Sequence, residues 1–340
     1  MQPFMKPISE IYSQLNEPKN IAITFHQKPD GDAMGSGLGL CNFLFQLGHS
    51  VSVISPTNWA AFLKWMPGAK QVIDFEMNND KAMGALKKAD WLFCLDFNVL
   101  SRTRKMEPVI KELDCVKILI DHHQQPQVDE FDYGVSDTSK SSTAEMVFDF
   151  IKESGNDDKI NIPVSECLYA GVMTDTGSFR FNAASADVHR MVARLKETGF
   201  VHSQVHENLF DNFMESRFRF FGNTLLNRME IFYEYNTALI AIPQSDLIKY
   251  NVKTGDTEGL VNFPLSIKGI KLAVVIIDRG DERKSSFRSK GGFDVNTFAR
   301  KYFNGGGHFN ASGGKNIEPL EEVVRQLKEA IKENKEALNS

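Results

Sequence analysis

Cysteine is scarce in this 340-residue chain: Cys41, Cys94, Cys115 and Cys167 are far apart, and none belongs to a Cys-x-x-Cys pair. That excludes a thiolate zinc site and the disulfide framework of a small secreted domain. Three of the four lie in or beside apolar runs, which reads as buried free thiols in a reducing compartment. No apolar run is long enough to span a bilayer. The start, MQPFMKPISEIYSQ, lacks the apolar core of a signal peptide. The expectation is a cytoplasmic protein with no membrane partner. Positive charge does not dominate either: 39 Lys and Arg face 44 Asp and Glu, a net charge of −5. A broad basic face for a long nucleic acid duplex is thereby excluded, because such affinity comes from many cationic contacts to phosphate. Short or small anionic ligands stay open. There is no Gly-Lys-Ser/Thr ending of a P-loop. The glycines at 35, 37 and 39 follow G-x-G-x-G, not G-x-G-x-x-G, and the acids before them would repel a pyrophosphate. There are no internal repeats and no low-complexity tract.

The composition that remains, 42% hydrophobic and 24% charged, supports a sizeable core, and the length favours two domains. In the first half, NIAITF (20–25), VSVIS (51–55), QVIDF (71–75), WLFCLDF (91–97) and VKILID (116–121) read as strands. Their near-continuous apolar character suits a parallel sheet covered on both faces. Helical patterns at 35–48, 141–155 and 163–173 alternate with them. The fold class is therefore α/β, with an N-terminal doubly wound, mainly parallel sheet. Residues 202–230 read as helical without strand signals. Strands at 237–243, 271–278 and 284–290 and helices at 293–303 and 319–338 then make a smaller C-terminal α/β domain. The expected boundaries are 1–200, a helical linker 201–230, and 231–340.

Acids recur directly after the strands. Asp30 and Asp32 follow the first, Asp96 ends the fourth, and Asp121 ends the fifth, with His122 and His123 immediately behind. Asp175 follows a helix. The carboxyl ends of a parallel sheet face one crevice, so these groups should converge there. Asp and Gly after a strand also make ordinary turns, but Asp-His-His at a strand end seldom serves packing. An Asp/His set without Cys suits Mn²⁺ or Mg²⁺ better than structural zinc. Cations would also explain how Asp30 and Asp32 stay ionised so close together. A calcium loop at 30–41 fails, because Met34 and Cys41 occupy ligand positions.

His26-x-x-x-Asp30-x-Asp32, Asp96, Asp121-His122-His123 and Asp175 in TDTGSF resemble the motifs of the DHH phosphoesterases. Phe287-Arg288-Ser289, Gly305-Gly306-Gly307-His308 and Ala311-Ser312-Gly313 resemble those of the family's associated C-terminal substrate-binding domain. Asn304 stands where a further glycine often precedes the triple glycine. The two-domain layout is most similar to the oligoribonuclease and pAp-phosphatase branch. The resemblance implies two Mn²⁺ ions per chain, with Mg²⁺ as an alternative. One would be held by His26, Asp30 and Asp96, the other by Asp32, Asp96, His122 and Asp175. It further implies Asp121 as the group orienting a histidine, and His123 as the hydrogen-bond or proton donor to phosphate. Arg288, Ser289, Gly306, Gly307, His308 and Ser312 would bind substrate. Successive glycines would offer backbone N–H groups to an anion, and a cleft between the domains would measure substrate length.

The expected activity is hydrolysis of RNAs of two to five nucleotides to mononucleotides, and of 3′-phosphoadenosine 5′-phosphate. Its nucleophile would be a water activated by two metals. The alternatives are a linear or cyclic dinucleotide phosphodiesterase, a pyrophosphatase, or a non-catalytic nucleotide sensor. The expected partner is a short RNA or nucleotide, and a homodimer is compatible with the sequence. Arg180, Thr143 and the linker aromatics Phe213, Phe218, Phe220 and Phe221 are weaker candidates for substrate contact. His49, His189, His202 and His206 have no motif context.

Overall fold

The computed structural model describes residues 5–181 and 183–340. It divides into two compact units, Met1–Asn212 and Phe213–Ser340.

In the N-terminal unit the strands are β1 (Lys6–Pro7), β2 (Asn20–Thr24), β3 (Ser50–Ser55), β4 (Ile73–Asp74), β5 (Trp91–Leu95), β6 (Val116–Asp121) and β7 (Tyr133–Ser136). They form one sheet in the order β1-β7-β6-β5-β2-β3-β4, and every neighbouring pair is parallel. The helices are α1 (Gly31–Gln46), α2 (Asn79–Lys88), α3 (Glu107–Glu112), α4 (Thr143–Glu153), α5 (Ile162–Asp175), α6 (Ala186–Lys196) and α7 (His202–Phe210). Strand residues alternate between two buried faces. Ile21, Ile23, Phe93, Leu95, Ile118 and Ile120 pack with α1, α4 and α5. Ala22, Leu92, Cys94 and Leu119 pack with residues of α2 and α3. Both faces are covered, as a doubly wound sheet requires.

The C-terminal unit holds α8 (Glu215–Asn227), β8 (Met229–Phe232), β9 (Thr237–Ile242), α9 (Gln244–Lys249), α10 (Asn262–Leu265), β10 (Leu272–Asp278), β11 (Arg283–Ser289), α11 (Val295–Tyr302), β12 (Gly306–His308), β13 (Ala311–Asn316), α12 (Leu320–Glu333) and α13 (Lys335–Asn339). Its sheet runs β12-β13-β11-β10-β9-β8. Only β9 and β10 pair in parallel.

The helical stretch expected at 202–230 is two helices, with the chain non-helical at 211–214 and entering β8 at Met229. Phe220 and Phe221 are buried in the C-terminal core and are closed to stacking, whereas Phe218 is exposed. The triple glycine is not a loop but mostly the edge strand β12. There a Cβ on Gly305 would lie 1.9 Å from the Gly313 carbonyl oxygen, and one on Gly307 2.6 Å from that of Ala311. Asn304 takes φ 47°, a left-handed conformation that Asn tolerates and Gly adopts freely.

The glycines of α1 are explained by packing. Helices α1 and α5 run antiparallel at backbone contact: a Cβ on Gly35 would fall 2.5 Å from the Cys167 carbonyl oxygen, and one on Gly39 2.5 Å from Leu168 Cδ2. On the facing helix, a Cβ on Gly171 would meet Ala144 Cβ at 2.6 Å and Asp32 Oδ1 at 3.0 Å. Helix propensity alone favours Ala over Gly by about 1 kcal/mol. Gly84 of α2, with no atom within 4 Å of its would-be Cβ, should follow propensity, so Gly84→Ala should stabilise by about 0.5–1 kcal/mol. Gly35→Ala should reverse the sign and cost about 1–3 kcal/mol, because overpacking outweighs the helical gain. Urea unfolding of both variants measures the contrast.

Candidate active site

The sheet changes winding direction between β2 and β5, which are neighbours at its centre. The carboxyl ends of such strands open onto the crevice where ligands bind in doubly wound folds. His26 lies two residues beyond β2, Asp96 immediately beyond β5, and Asp121 is the last residue of β6, with His122 and His123 next. Asp30 is the N-cap of α1, and Asp32 lies in its first turn. Asp175 is the last residue of α5, not a residue after it. All eight groups belong to the N-terminal unit.

Asp96 stands at the centre of this set. Its Oδ2 is 3.3 Å from His26 Nε2, and its Oδ1 is 3.5 Å from His122 Nε2 and 3.6 Å from His123 Nδ1. Around His26 Nε2 the second carboxylate is Asp30, at 3.7 Å. Around His122 Nε2 are Asp32 at 3.8 Å and Asp175 at 3.6 Å. These gaps are mostly wider than a hydrogen bond, about 2.7–3.2 Å. They approach the separation of donor atoms that share one ion at about 2.1 Å. Two groups, His26-Asp30-Asp96 and Asp32-Asp96-His122, each bring one ligand atom per residue within 4.8 Å of the others.

The surrounding bonds orient these ligands. His26 Nδ1 donates to the Gln27 carbonyl at 2.8 Å, and His122 Nδ1 faces the Lys140 carbonyl at 3.4 Å. A carbonyl only accepts, so in the neutral ring the proton belongs on Nδ1 and the lone pair on Nε2, the nitrogen facing the carboxylates. Asp30 Oδ1 caps α1 by accepting from the N–H groups of Asp32 and Ala33, at 3.0 and 3.1 Å. Asp32 is gripped by the start of another helix. The N–H of Thr143 donates to its Oδ2 at 2.7 Å and that of Ala144 to its Oδ1 at 2.9 Å. The positive end of α4 thus faces Asp32. Ser142 caps that helix through the Glu145 N–H. Thr143 Oγ1 donates to Asp96 Oδ1 at 3.2 Å. His123 Nδ1 donates to Asp121 Oδ1 at 2.7 Å.

Asp32, Asp96, Asp121, His26 and His122 are all buried. Burial disfavours the Asp96 charge, but the His122 and His26 imidazoles more than offset it and hold Asp96 well below the usual carboxylate range. Asp32 goes the other way: burial and the charges of Asp96 and Asp175 push it well above. Burial and Arg102 oppose charging of His26, yet Asp30 and Asp96 win and push it up to about 10. His122 is likewise raised well above its ordinary value, against burial, by Asp96, Asp175 and Asp32. Burial lowers His123. Without a cation, the centre therefore recruits protons. The donor set fits divalent ions, which would take the place of those protons.

In the C-terminal unit, Arg288 and His308 are both paired with Ala311, on β11 and β12, so the two lie in one cross-strand row of the sheet. Ser289 and Ser312 are buried. Ser289 Oγ donates to the Phe293 carbonyl at 2.7 Å, and Ser312 Oγ to that of His308 at 2.9 Å. The N–H of Gly305 donates to the Ala299 carbonyl and that of Gly307 to Asn296 Oδ1. The expected convergence of successive glycine N–H groups on an anion is replaced by these internal bonds. A Cβ on Gly306 would lie 3.4 Å from both the Arg300 guanidinium and Asn296 Oδ1.

Two features of the centre were missed in the sequence. The N–H groups of Thr143 and Ala144 leave no mark in side-chain identity. Arg102, six residues beyond Asp96, does leave a spacing. Arg180 is exposed and donates through Nε to the Gly177 carbonyl. His206 Nε2 pairs with the Tyr169 hydroxyl at 3.0 Å, and His49 Nδ1 accepts from the Lys19 N–H.

The electrostatics set a pH dependence. A histidine raised in the metal-free fold is protonated at neutral pH and must lose that proton to coordinate. Metal affinity should therefore rise with pH, and binding near pH 7 should release protons held by the raised groups His26, His122 and Asp32. Titration calorimetry in buffers of different ionisation enthalpy reads this directly. An enthalpy independent of buffer would contradict it.

The DHH family N-terminal domain matches residues 20–172, and the DHHA1 domain matches residues 236–336. The chain is 28% identical over 332 residues to the bifunctional oligoribonuclease and PAP phosphatase NrnA of Thermus thermophilus, covering 97% of this chain and 94% of that protein. It is 27% identical over 336 residues to the protein of the same name from Bacillus subtilis, covering 96% and 99%. Among solved structures, an exopolyphosphatase-related protein from Bacteroides fragilis is 36% identical, with a TM-score of 0.92 over 97% of both chains. With both domains in order and the ligand-competent centre in the first, the chain belongs to the DHH family of metal-dependent phosphoesterases.

Proposed function

We propose that the protein hydrolyses short oligoribonucleotides to mononucleotides and removes the 3′-phosphate of 3′-phosphoadenosine 5′-phosphate, using Mn²⁺. One observation carries the reading: Asp96 turns one carboxylate oxygen toward His26 and the other toward His122, so a single side chain belongs to two ligand groups. His26 and Asp30 would complete one site, and Asp32, His122 and Asp175 the other. When bound, a pair of divalent ions lowers the pKa of a shared water and balances charge on the reacting phosphoryl oxygens. The chain's own groups do the rest. Asp121 fixes the plane of the His123 ring through Nδ1 and would stabilise its imidazolium form beside a bound phosphate, whose oxygens would then accept from Nε2–H. Arg288 and His308 supply phosphate contacts from the C-terminal unit. The substrates come from the names of the relatives, and the net charge of −5 agrees with a ligand of few phosphates.

The test is a time course with the chelated protein on 5′-labelled RNAs of graded length, 3′-phosphoadenosine 5′-phosphate, cyclic dinucleotides and pyrophosphate, with Mn²⁺ or Mg²⁺ restored. The expected result is no activity after chelation, best recovery with Mn²⁺, and fastest turnover of RNAs of two to five nucleotides. Preference for a cyclic dinucleotide or pyrophosphate would overturn the substrate assignment. Asp121→Asn should retain metal and lose about 10- to 100-fold in turnover, because the imidazole loses its charged anchor. Metal content and rate measured on the same sample separate the two effects.

A further inference from the structure

Arg102 lies on the helical turn Leu100–Met106 that follows β5. Its backbone is held from two sides: its carbonyl accepts from the N–H of Gln27, next to His26, at 2.9 Å, and its own N–H donates to the Val99 carbonyl at 3.1 Å. The side chain reaches the centre, where Nη1 makes a long 3.5 Å contact with the carbonyl oxygen of Asp96. Asp96 itself adopts φ 60°, a left-handed conformation that turns this carbonyl out of the strand direction. The guanidinium is near enough to His26 and His123 to oppose the charging of both.

What it does not do is informative. Asp30, Asp32, Asp96, Asp121 and Asp175 crowd the same strand ends, yet among the described residues Arg102 makes no ion pair, and its one side-chain hydrogen bond is the loose contact to a backbone carbonyl. A guanidinium is a rigid fork of N–H donors that normally locks onto a carboxylate in two bonds. Here backbone anchoring keeps it beside the acids but off them, with most of the fork uncommitted. Two divalent cations would still leave those five carboxylates with an excess negative charge, which repels a phosphate. One guanidinium at the rim removes that excess and offers donors in the geometry of phosphoryl oxygens.

We propose that Arg102 binds the non-bridging oxygens of the phosphoryl group held at the metal centre, as a phosphate-binding residue and not a metal-site scaffold. This rests on the proposed phosphoesterase reading but not on which ester is cleaved. The probe is therefore inorganic phosphate, titrated calorimetrically into Mn²⁺-loaded wild-type, Arg102→Gln and Arg102→Lys protein, with metal content measured in parallel. The expected result is unchanged metal content in both variants and phosphate affinity at least about tenfold weaker in Arg102→Gln, with Arg102→Lys between it and wild type because charge survives while the fork does not. The kcat/KM of Arg102→Gln on whichever ester the wild type hydrolyses should fall by about 100-fold or more, the scale of losing one preorganised donor to developing charge. Wild-type phosphate affinity in Arg102→Gln would overturn the proposal, as would loss of metal from both variants, which would make Arg102 a support of the ligands. Failure of the wild type on RNA and 3′-phosphoadenosine 5′-phosphate would overturn only the substrate assignment, because phosphate binding is read separately.

Discussion

Like charges buried at one end of a sheet repel, and the N-terminal unit is organised around containing that repulsion at Asp96. This carboxylate is buried and faces imidazoles on both of its oxygens. Its ionisation costs its neighbours: Asp32 is driven toward its neutral form, and His26 and His122 toward their charged forms. An apolar core would never tolerate such a cluster, because unpaired buried charge is among the most expensive arrangements a fold can hold. The backbone supplies part of the compensation. Asp30 satisfies the start of α1, and Asp32 satisfies the start of α4, so each acid of the Asp-x-Asp pair has one structural task besides any ligand role. The remaining charge calls for cations.

The geometry also divides tasks among the histidines. His26 and His122 direct Nδ1 to backbone carbonyls, which leaves Nε2 as the coordinating atom. His123 directs Nδ1 to a carboxylate instead, and burial keeps its charge down. Adjacent residues of one type thus carry different chemistry because the first, just beyond β6, faces the acids and the next turns onto Asp121.

Much of this was legible in the sequence, for physical reasons. Strands β2, β3, β5 and β6 are buried on both faces and so write near-continuous apolar runs, and acids placed directly after such runs must collect at the carboxyl edge. Strands of two to four residues write no pattern: β1, β7, β8 and β12 were invisible, and QVIDF shrank to Ile73–Asp74. The glycines of α1 do not fit a dinucleotide fingerprint, and packing explains them: Gly35 and Gly39 lie against α5, and Gly37 against Phe25. The triple glycine suggested an anion nest, but its N–H groups at 305 and 307 are bonded internally. The decisive partner of Gly35, Cys167, lies far along the chain, and those of Gly305 and Gly307, Ala299 and Asn296, are on the preceding helix α11, where nothing in their identity marks the contact. The clamp on Asp32 is made by backbone groups that every residue but proline carries, so no residue type could announce it.

The antiparallel pair α1 and α5 has one more consequence. Asp32 lies in the first turn of α1 and Asp175 ends α5, and the helices approach through Gly31, Gly35 and Gly39 of α1, with Gly35 directly against the backbone of Cys167 and Gly171. The pair works as a caliper locked at one setting. A carboxylate spacing set by backbone contact does not widen for a larger guest, and Ca²⁺ needs oxygens about 0.3–0.5 Å farther out than Mg²⁺ does. Any fit to ionic radius at this centre would thus be set by the helix pair, at a distance from any ligand atom.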